Sequence, residues 1–250
     1  MNQMNTVLNI NNNLVIDLIN NSNNLNVYRF GSIVYGTNSK DSDEDFIVVT
    51  KEKVISNNIN VHYYTIIEFQ TLLDNHDIQM LECFYLPYNS KFILKKEQVF
   101  TLNKNDIIDK YKLRIAISTI TSNSWVKGKK KLVVQGDYGK YLAIKSVFHS
   151  IRILDYGIQI AQHNKIVDYT SMNYVMFDLL KLSVEYDYIE LWNMIEARYK
   201  KLFNNKSSIF KQLCPKSIEN ETLISNLRKI FKEYNVNNDI MFNDIIGLIK

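Results

Sequence analysis

Residues 28–49 read YRFGSIVYGTNSKDSDEDFIVV, and this stretch does more than any other to limit what the chain can become. An extended apolar approach through Val27, Tyr28 and Phe30 meets Gly31-Ser32, a polar loop follows over 36–40, and an alternating run occupies 43–49. Strand side chains point the same way at every second position, so Asp43 and Asp45 are expected on one face with Glu44 turned away. Two carboxylates on one face repel each other unless something positive lies between them. A hard cation such as Mg²⁺ takes oxygen ligands and keeps waters and substrate phosphate oxygens in its shell, which suits such a pair. At Gly31 the missing Cβ lets backbone approach a ligand closely, and a helix begun at Ser32 would aim N–H groups at an anion. Phosphate on the amides and metal on the aspartates would then meet in one cleft.

The remainder decides what surrounds this stretch. Only 7 glycines and 2 prolines in 250 residues favour helices with few tight turns and argue against a β-sandwich. After an Asn-rich lead-in over 1–13, apolar spacing predicts a short helix over 14–19. A second strand is expected over 59–65, with Asn60, His62 and Tyr64 on one face. Helical spacing marks 66–73 and 77–86, the latter closed by Pro87, and 92–102 reads as an edge strand or an irregular crossover. From residue 105 the pattern is helical: 107–120 continuing through 125–133, then 138–162 behind a Gly136-Asp137 turn and cap. An extended connection over 166–170 leads to helices over 173–182 and 185–203. A polar loop over 204–208 and a short helix ending at Cys214-Pro215 come next, and helices over 222–234 and 238–249 finish the chain. The expected fold class is α/β (α+β): a small mixed-sheet domain over 1–102, an all-helical domain over 103–250, and a cleft between them.

No apolar run reaches transmembrane length, and nothing at the N-terminus reads as a signal peptide. Cys83 and Cys214 show no partner pattern and are expected as buried thiols in a reducing, cytoplasmic setting. Residues 1–100 carry 7 Lys and Arg against 11 Asp and Glu, a balance of −4, whereas 101–250 carry 23 against 15, a balance of +8. An acidic half facing a basic half suits a nucleoside triphosphate or polynucleotide, though lysine-covered helices give the same balance.

Within 138–162, Lys145, His149 and Arg152 stand at i, i+4 and i+7 on one helical face. All three can donate to phosphate, Arg through a planar fork and Lys as a point charge. Lys127, Lys129, Lys130 and Lys131 read as solvated surface, with a phosphate track as the alternative. Glu82 lies in an apolar setting, where a charge has a partner or a job; a salt bridge to an Arg or Lys is the plainer account. Trp192, on an aromatic stripe, reads as core.

Gly31-Ser32 followed by Tyr35-Gly36 and then by Ser42-Asp43-Glu44-Asp45 resembles the nucleotidyltransferase superfamily typified by DNA polymerase β and the small bacterial nucleotidyltransferases. The close likeness covers about twenty residues. The Lys145-His149-Arg152 spacing resembles the helix that closes over the nucleotide phosphates in a subset of that superfamily. The resemblance implies Mg²⁺ or Mn²⁺ on Asp43 and Asp45, and triphosphate held by Gly31, Ser32, Lys145, His149 and Arg152. It further implies transfer of a nucleoside monophosphate from a nucleoside triphosphate, with ATP the first candidate, to a hydroxyl acceptor. RNA, protein and small-molecule acceptors are all compatible. Family members place a third carboxylate on the neighbouring strand, where this chain has Asn60 and His62. His62 could be a metal ligand or a general base; Glu82 could reach in; or the acid is lost and the protein binds nucleotide without turning it over.

Overall fold

The computed structural model describes residues 13–216 except 41, 57 and 103–107, together with 225, 226 and 229. Helix α1 occupies residues 13–20. It leads into β1 (Asn24–Phe30), α2 (Ser32–Tyr35), β2 (Asp45–Thr50), β3 (Val61–Thr65), α3 (Ile66–Asp74), α4 (Ile78–Phe84) and β4 (Ile93–Lys96). Three long helices dominate the rest: α5 (Lys110–Gln135), α6 (Lys140–His163) and α8 (Tyr188–Leu213), with α7 (Asn173–Glu185) between the last two. The sheet order is β3-β2-β1-β4; β1 pairs antiparallel with β2 and β4, and β2 pairs parallel with β3. The mixed sheet followed by helices is the α/β class expected. None of the described helices is long and apolar enough to cross a membrane.

Strand alternation sorts β2 into two faces. Phe46 and Val48 pack with Val27, Val61 and the α1 residue Leu18, whereas Ile47 and Val49 enter the larger core with Tyr28, Phe69 and Leu81. Asp45 shares the parity of Ile47 and Val49 and so opens on the helix-covered face. That core continues into Leu113 and Ile117 of α5 and Ile153 to Ile160 of α6. The N-terminal half of α6 instead belongs to a second core with Trp125, Val175, Leu179 and Ile195. Trp192 is buried there, as its spacing predicts. Cys83 and Cys214 are free and buried.

Side-chain caps set several helix starts. Thr65 and Glu68 form a capping box on α3, and Asp77, Asp109 and Asp187 accept from the first amides of α4, α5 and α8. Asp137 does not cap α6; residues Gly136–Gly139 form a 3₁₀ turn, and Asp137 pairs with Lys140 at 2.8 Å. The loop expected over 204–208 is absent, and α8 runs through it to Leu213. Packing explains this, since Phe210 is buried beyond the polar run and Lys206 within it reaches Asp155 at 2.6 Å. The connection over 166–170 is bends and turn, not extended strand. Edge strand β4 realises one of the two readings of 92–102. The lead-in over 1–12 and most of the helices expected over 222–234 and 238–249 lie outside the described residues.

Candidate functional site

The site begins where β1 ends. Gly31 has φ +76°, a conformation that L side chains rarely adopt, and a Cβ built there would stand 2.5 Å from Asp45 Oδ2. Glycine is required twice over, by the backbone and by the carboxylate against it. Ser32 to Tyr35 then turn once as α2, and Gly36, also left-handed, ends it. Asn173 at the start of α7 donates to the Tyr35 carbonyl at 2.8 Å, fastening this turn to the helical layer.

Asp45 is half-buried, and burial pushes its carboxyl above the usual carboxylate range; His62 and Lys145 pull it down and Asp43 adds to the rise. Asp43 lies two residues before β2, on exposed irregular chain and not on the strand. Strand parity alone therefore does not align the two acids, although Asp43 stays within electrostatic reach of Asp45. Glu44 points elsewhere, 3.6 Å from Arg29. On β3, His62 is paired with Ile47, which puts it on the same sheet face as Asp45. Asn60 precedes β3 and spends its carbonyl on the Phe46 amide at 2.8 Å.

A cleft of about 470 Å³ opens from Asp45 toward the helices. Gly31, Ser32 and Asp45 form one side, and Lys127, Lys131 and Lys145 with His149 form the other. Close helix packing brings those groups together: a Cβ on Gly128 of α5 would meet Val147 Cγ2 at 2.9 Å and the Ala143 carbonyl at 3.2 Å. The missing side chain lets α5 and α6 approach so that their lysines face one groove. Lys145 also lies over the Tyr141 ring, 5.3 Å from its centroid. Lys129 faces Trp192 instead, at 5.7 Å. Lys127 is exposed and Lys131 half-buried, as a solvated face allows, and both also line the cleft. Their signal is the i, i+4 spacing with Ser124 one turn earlier, and all three line the cleft.

Arg152 reaches the cleft floor in a different state from a phosphate-seeking side chain. It is buried, and its Nη1 lies 2.8 Å from Glu82 Oε1 while its Nη2 lies 3.0 Å from His149 Nδ1. Glu82 is held as well by Tyr35 Oη at 2.6 Å, so it is a salt-bridge partner of Arg152 and not a carboxylate reaching into the aspartate site. Burial works against the Arg152 charge, but Glu82 and the Tyr35 and Tyr156 hydroxyls outweigh it and push Arg152 up.

His149, half-buried in the same wall, is pushed the other way. Burial and the Arg152 and Lys127 charges lower it from 6.5 to about 3. The folded protein therefore binds fewer protons than the unfolded chain between those values, and stability falls as pH drops through that window. At pH 5 the loss from this ring is about 2 kcal/mol relative to pH 7.5. Urea unfolding of wild type and His149→Asn at both pH values should show the variant escaping that loss; equal losses in both proteins would remove His149 as its source.

Among the described residues no group of three or more His, Cys, Asp or Glu side chains is arranged to hold a metal ion. The donor set still fits Mg²⁺ held jointly with substrate: an oxygen ligand on Asp45, raised by burial and crowded by Asp43, with room beside it for phosphate oxygens.

Residues 16–113 match the family model described as nucleotidyltransferase domain. The span contains Gly31, Ser32, Asp43, Asp45 and His62, while Lys127, Lys131, Lys145, His149 and Arg152 lie beyond it. No curated protein gives a significant match to the chain.

Proposed function

Since residues 16–113 match the nucleotidyltransferase domain model, we propose that this protein is a metal-dependent nucleotidyltransferase. It moves a nucleoside monophosphate from a nucleoside triphosphate, ATP being the first candidate, to a hydroxyl acceptor and releases pyrophosphate. The observation that carries this reading is Asp45, packed against Gly31 at one side of a cleft whose opposite wall is lined by three lysines.

In this reading the α-phosphate lies at the Asp45 end and the β- and γ-phosphates extend toward Lys145, Lys127 and Lys131. Gly31 and Ser32 give the phosphates a wall without side-chain bulk. Asp43 and Asp45 would hold Mg²⁺ or Mn²⁺, which when bound neutralises phosphate charge and lowers the pKa of a coordinated hydroxyl. An acceptor oxygen forms its bond to the α-phosphorus as the bond to the bridging oxygen breaks. The acceptor proton passes to His62 or to water, and the lysines neutralise the departing pyrophosphate. RNA 3′-ends, protein hydroxyls and small alcohols remain the acceptor classes, and two buried free thiols suit a reducing cytoplasmic setting.

One observation favours a second reading. The β3 residues on the Asp45 face are His62 and Tyr64, neither of them an acid, which suits a nucleotide-binding module without turnover. Incubation with each α-labelled nucleoside triphosphate and Mg²⁺ or Mn²⁺, over pooled RNA, protein and small-molecule acceptors, separates the two. Label transfer with pyrophosphate release is the expected result. Triphosphate binding with no transfer to any acceptor would overturn the enzyme in favour of the module.

A further inference from the structure

The α6 wall of the cleft is backed by a buried relay that joins three elements. Glu82 on α4 accepts from Tyr35 of α2 through one carboxylate oxygen and from Arg152 of α6 through the other, at 2.6 and 2.8 Å. The Arg152 guanidinium stacks 3.5 Å from the centroid of the Tyr35 ring, and its Nη2 lies 3.0 Å from His149 Nδ1. Arginine offers donors and no acceptor. The contact is therefore a hydrogen bond only when Nδ1 is bare, which puts the single ring proton on Nε2 and excludes the doubly protonated ring. His149 lines the cleft, and among the described residues its Nε2 has no hydrogen-bond partner.

We propose that Glu82 and Arg152 are positioning residues that hold His149 in its Nε2–H tautomer, so that the cleft presents an uncharged, directed N–H donor to an anionic oxygen of the bound nucleotide. This rests on reading the cleft as a nucleotide site. It moves Arg152 from phosphate ligand to support, and it makes His149 a neutral donor. The downward push on His149 from burial and from Arg152 and Lys127 agrees with a ring that stays neutral at working pH. The relay also passes through Tyr35, the last residue of the turn that starts beside Gly31, so one buried cluster fixes both sides of the cleft.

Nitrogen-15 NMR of the histidine rings in the full chain tests the tautomer without any ligand. The wild type should show His149 with a protonated Nε2 and a bare Nδ1 from pH 7.5 to pH 5. Arg152→Lys, which keeps a cation for Glu82 but cannot also reach His149 with a planar fork, should show mixed tautomers. Titration with the magnesium complex of α,β-methylene-ATP tests the donor. His149→Gln places an amide N–H near the Nε2 position and should bind within about twofold of wild type, whereas His149→Asn, which can satisfy Arg152 but cannot reach the ligand, should bind about tenfold more weakly. Mixed tautomers in the wild type, or equal affinities of the Gln and Asn variants, would overturn the proposal. A wild-type ring in the Nε2–H form with no binding of the nucleotide analogue would overturn the nucleotide reading itself, and the donor role with it.

Discussion

Asp45→Asn should lose nucleotidyl transfer on the order of a thousandfold while remaining at least as stable as the wild type. The two effects have opposite signs because one carboxylate is being asked for two incompatible things. Its charge is useful only when substrate and cation are present, yet the free protein carries that charge half-buried, beside Gly31 and within reach of Asp43. Burial raises the folded carboxyl above its unfolded value of 3.8. A group raised in this way costs stability above its folded value, and the cost disappears as pH falls below the unfolded one. The amide carries no such charge, so its gain should be present at neutral pH and vanish near pH 3.5. Transfer assays beside urea unfolding at pH 7 and pH 3.5 read both effects. The magnesium–ATP complex should raise the melting temperature of the wild type and not of the variant. A variant that keeps full transfer would remove Asp45 from the site, and one that is less stable at neutral pH would show that its carboxylate is held by contacts stronger than its burial.

The parts of this molecule that were legible from sequence are those where a local rule and the packed structure ask for the same thing. Gly31 is demanded by its backbone and by the Asp45 oxygen against it, and the helical turn expected from Ser32 begins there. His62 falls on the Asp45 face because it pairs with Ile47; alternation groups it with Tyr64, and the register between strands decides which face that is. Asp43 was harder. The alternating pattern runs back to it, but β2 starts two residues later, and no periodicity reports where hydrogen bonding begins. Depth was not legible at all. Lys145, His149 and Arg152 share a helical face as their spacing requires, yet that face turns from exposed lysine to buried arginine within two turns, because Glu82 arrives from a helix 70 residues earlier. For the same reason the place of Lys127 and Lys131 in the cleft is not legible from spacing alone: it follows from Gly128 meeting Ala143 and Val147, a pairing between two helices. At 204–208 the polar composition suggests a loop, and a distant aspartate on α6 decides otherwise.

Arg152→Ala should destabilise the protein by about 3–5 kcal/mol, the largest single stability effect expected in this chain. Both partners of the pair are almost wholly buried, Arg152 at 1% and Glu82 at 2% exposure. Taking two charges out of water costs several kcal/mol per ion, which their mutual attraction offsets only while both remain. Removing the guanidinium leaves Glu82 with the Tyr35 hydroxyl alone, against a desolvation that already pushes its carboxyl up. It also removes the cation stacked on Tyr35 and opens a void where the side chain lay. With a typical total of 5–15 kcal/mol, such a loss corresponds to a melting temperature lower by roughly 10 °C. Replacing both charges by apolar groups of similar size, Glu82→Leu with Arg152→Met, should recover most of that stability, since neither ion is then left uncompensated. The recovered protein should nevertheless fail to show the single His149 tautomer, because methionine donates nothing to Nδ1. Urea unfolding of the single and double variants gives the coupling between the two residues directly. A loss under about 1 kcal/mol for Arg152→Ala would show the guanidinium to be a solvated group, open to phosphate after all, and would return it to the role its helical spacing first suggested.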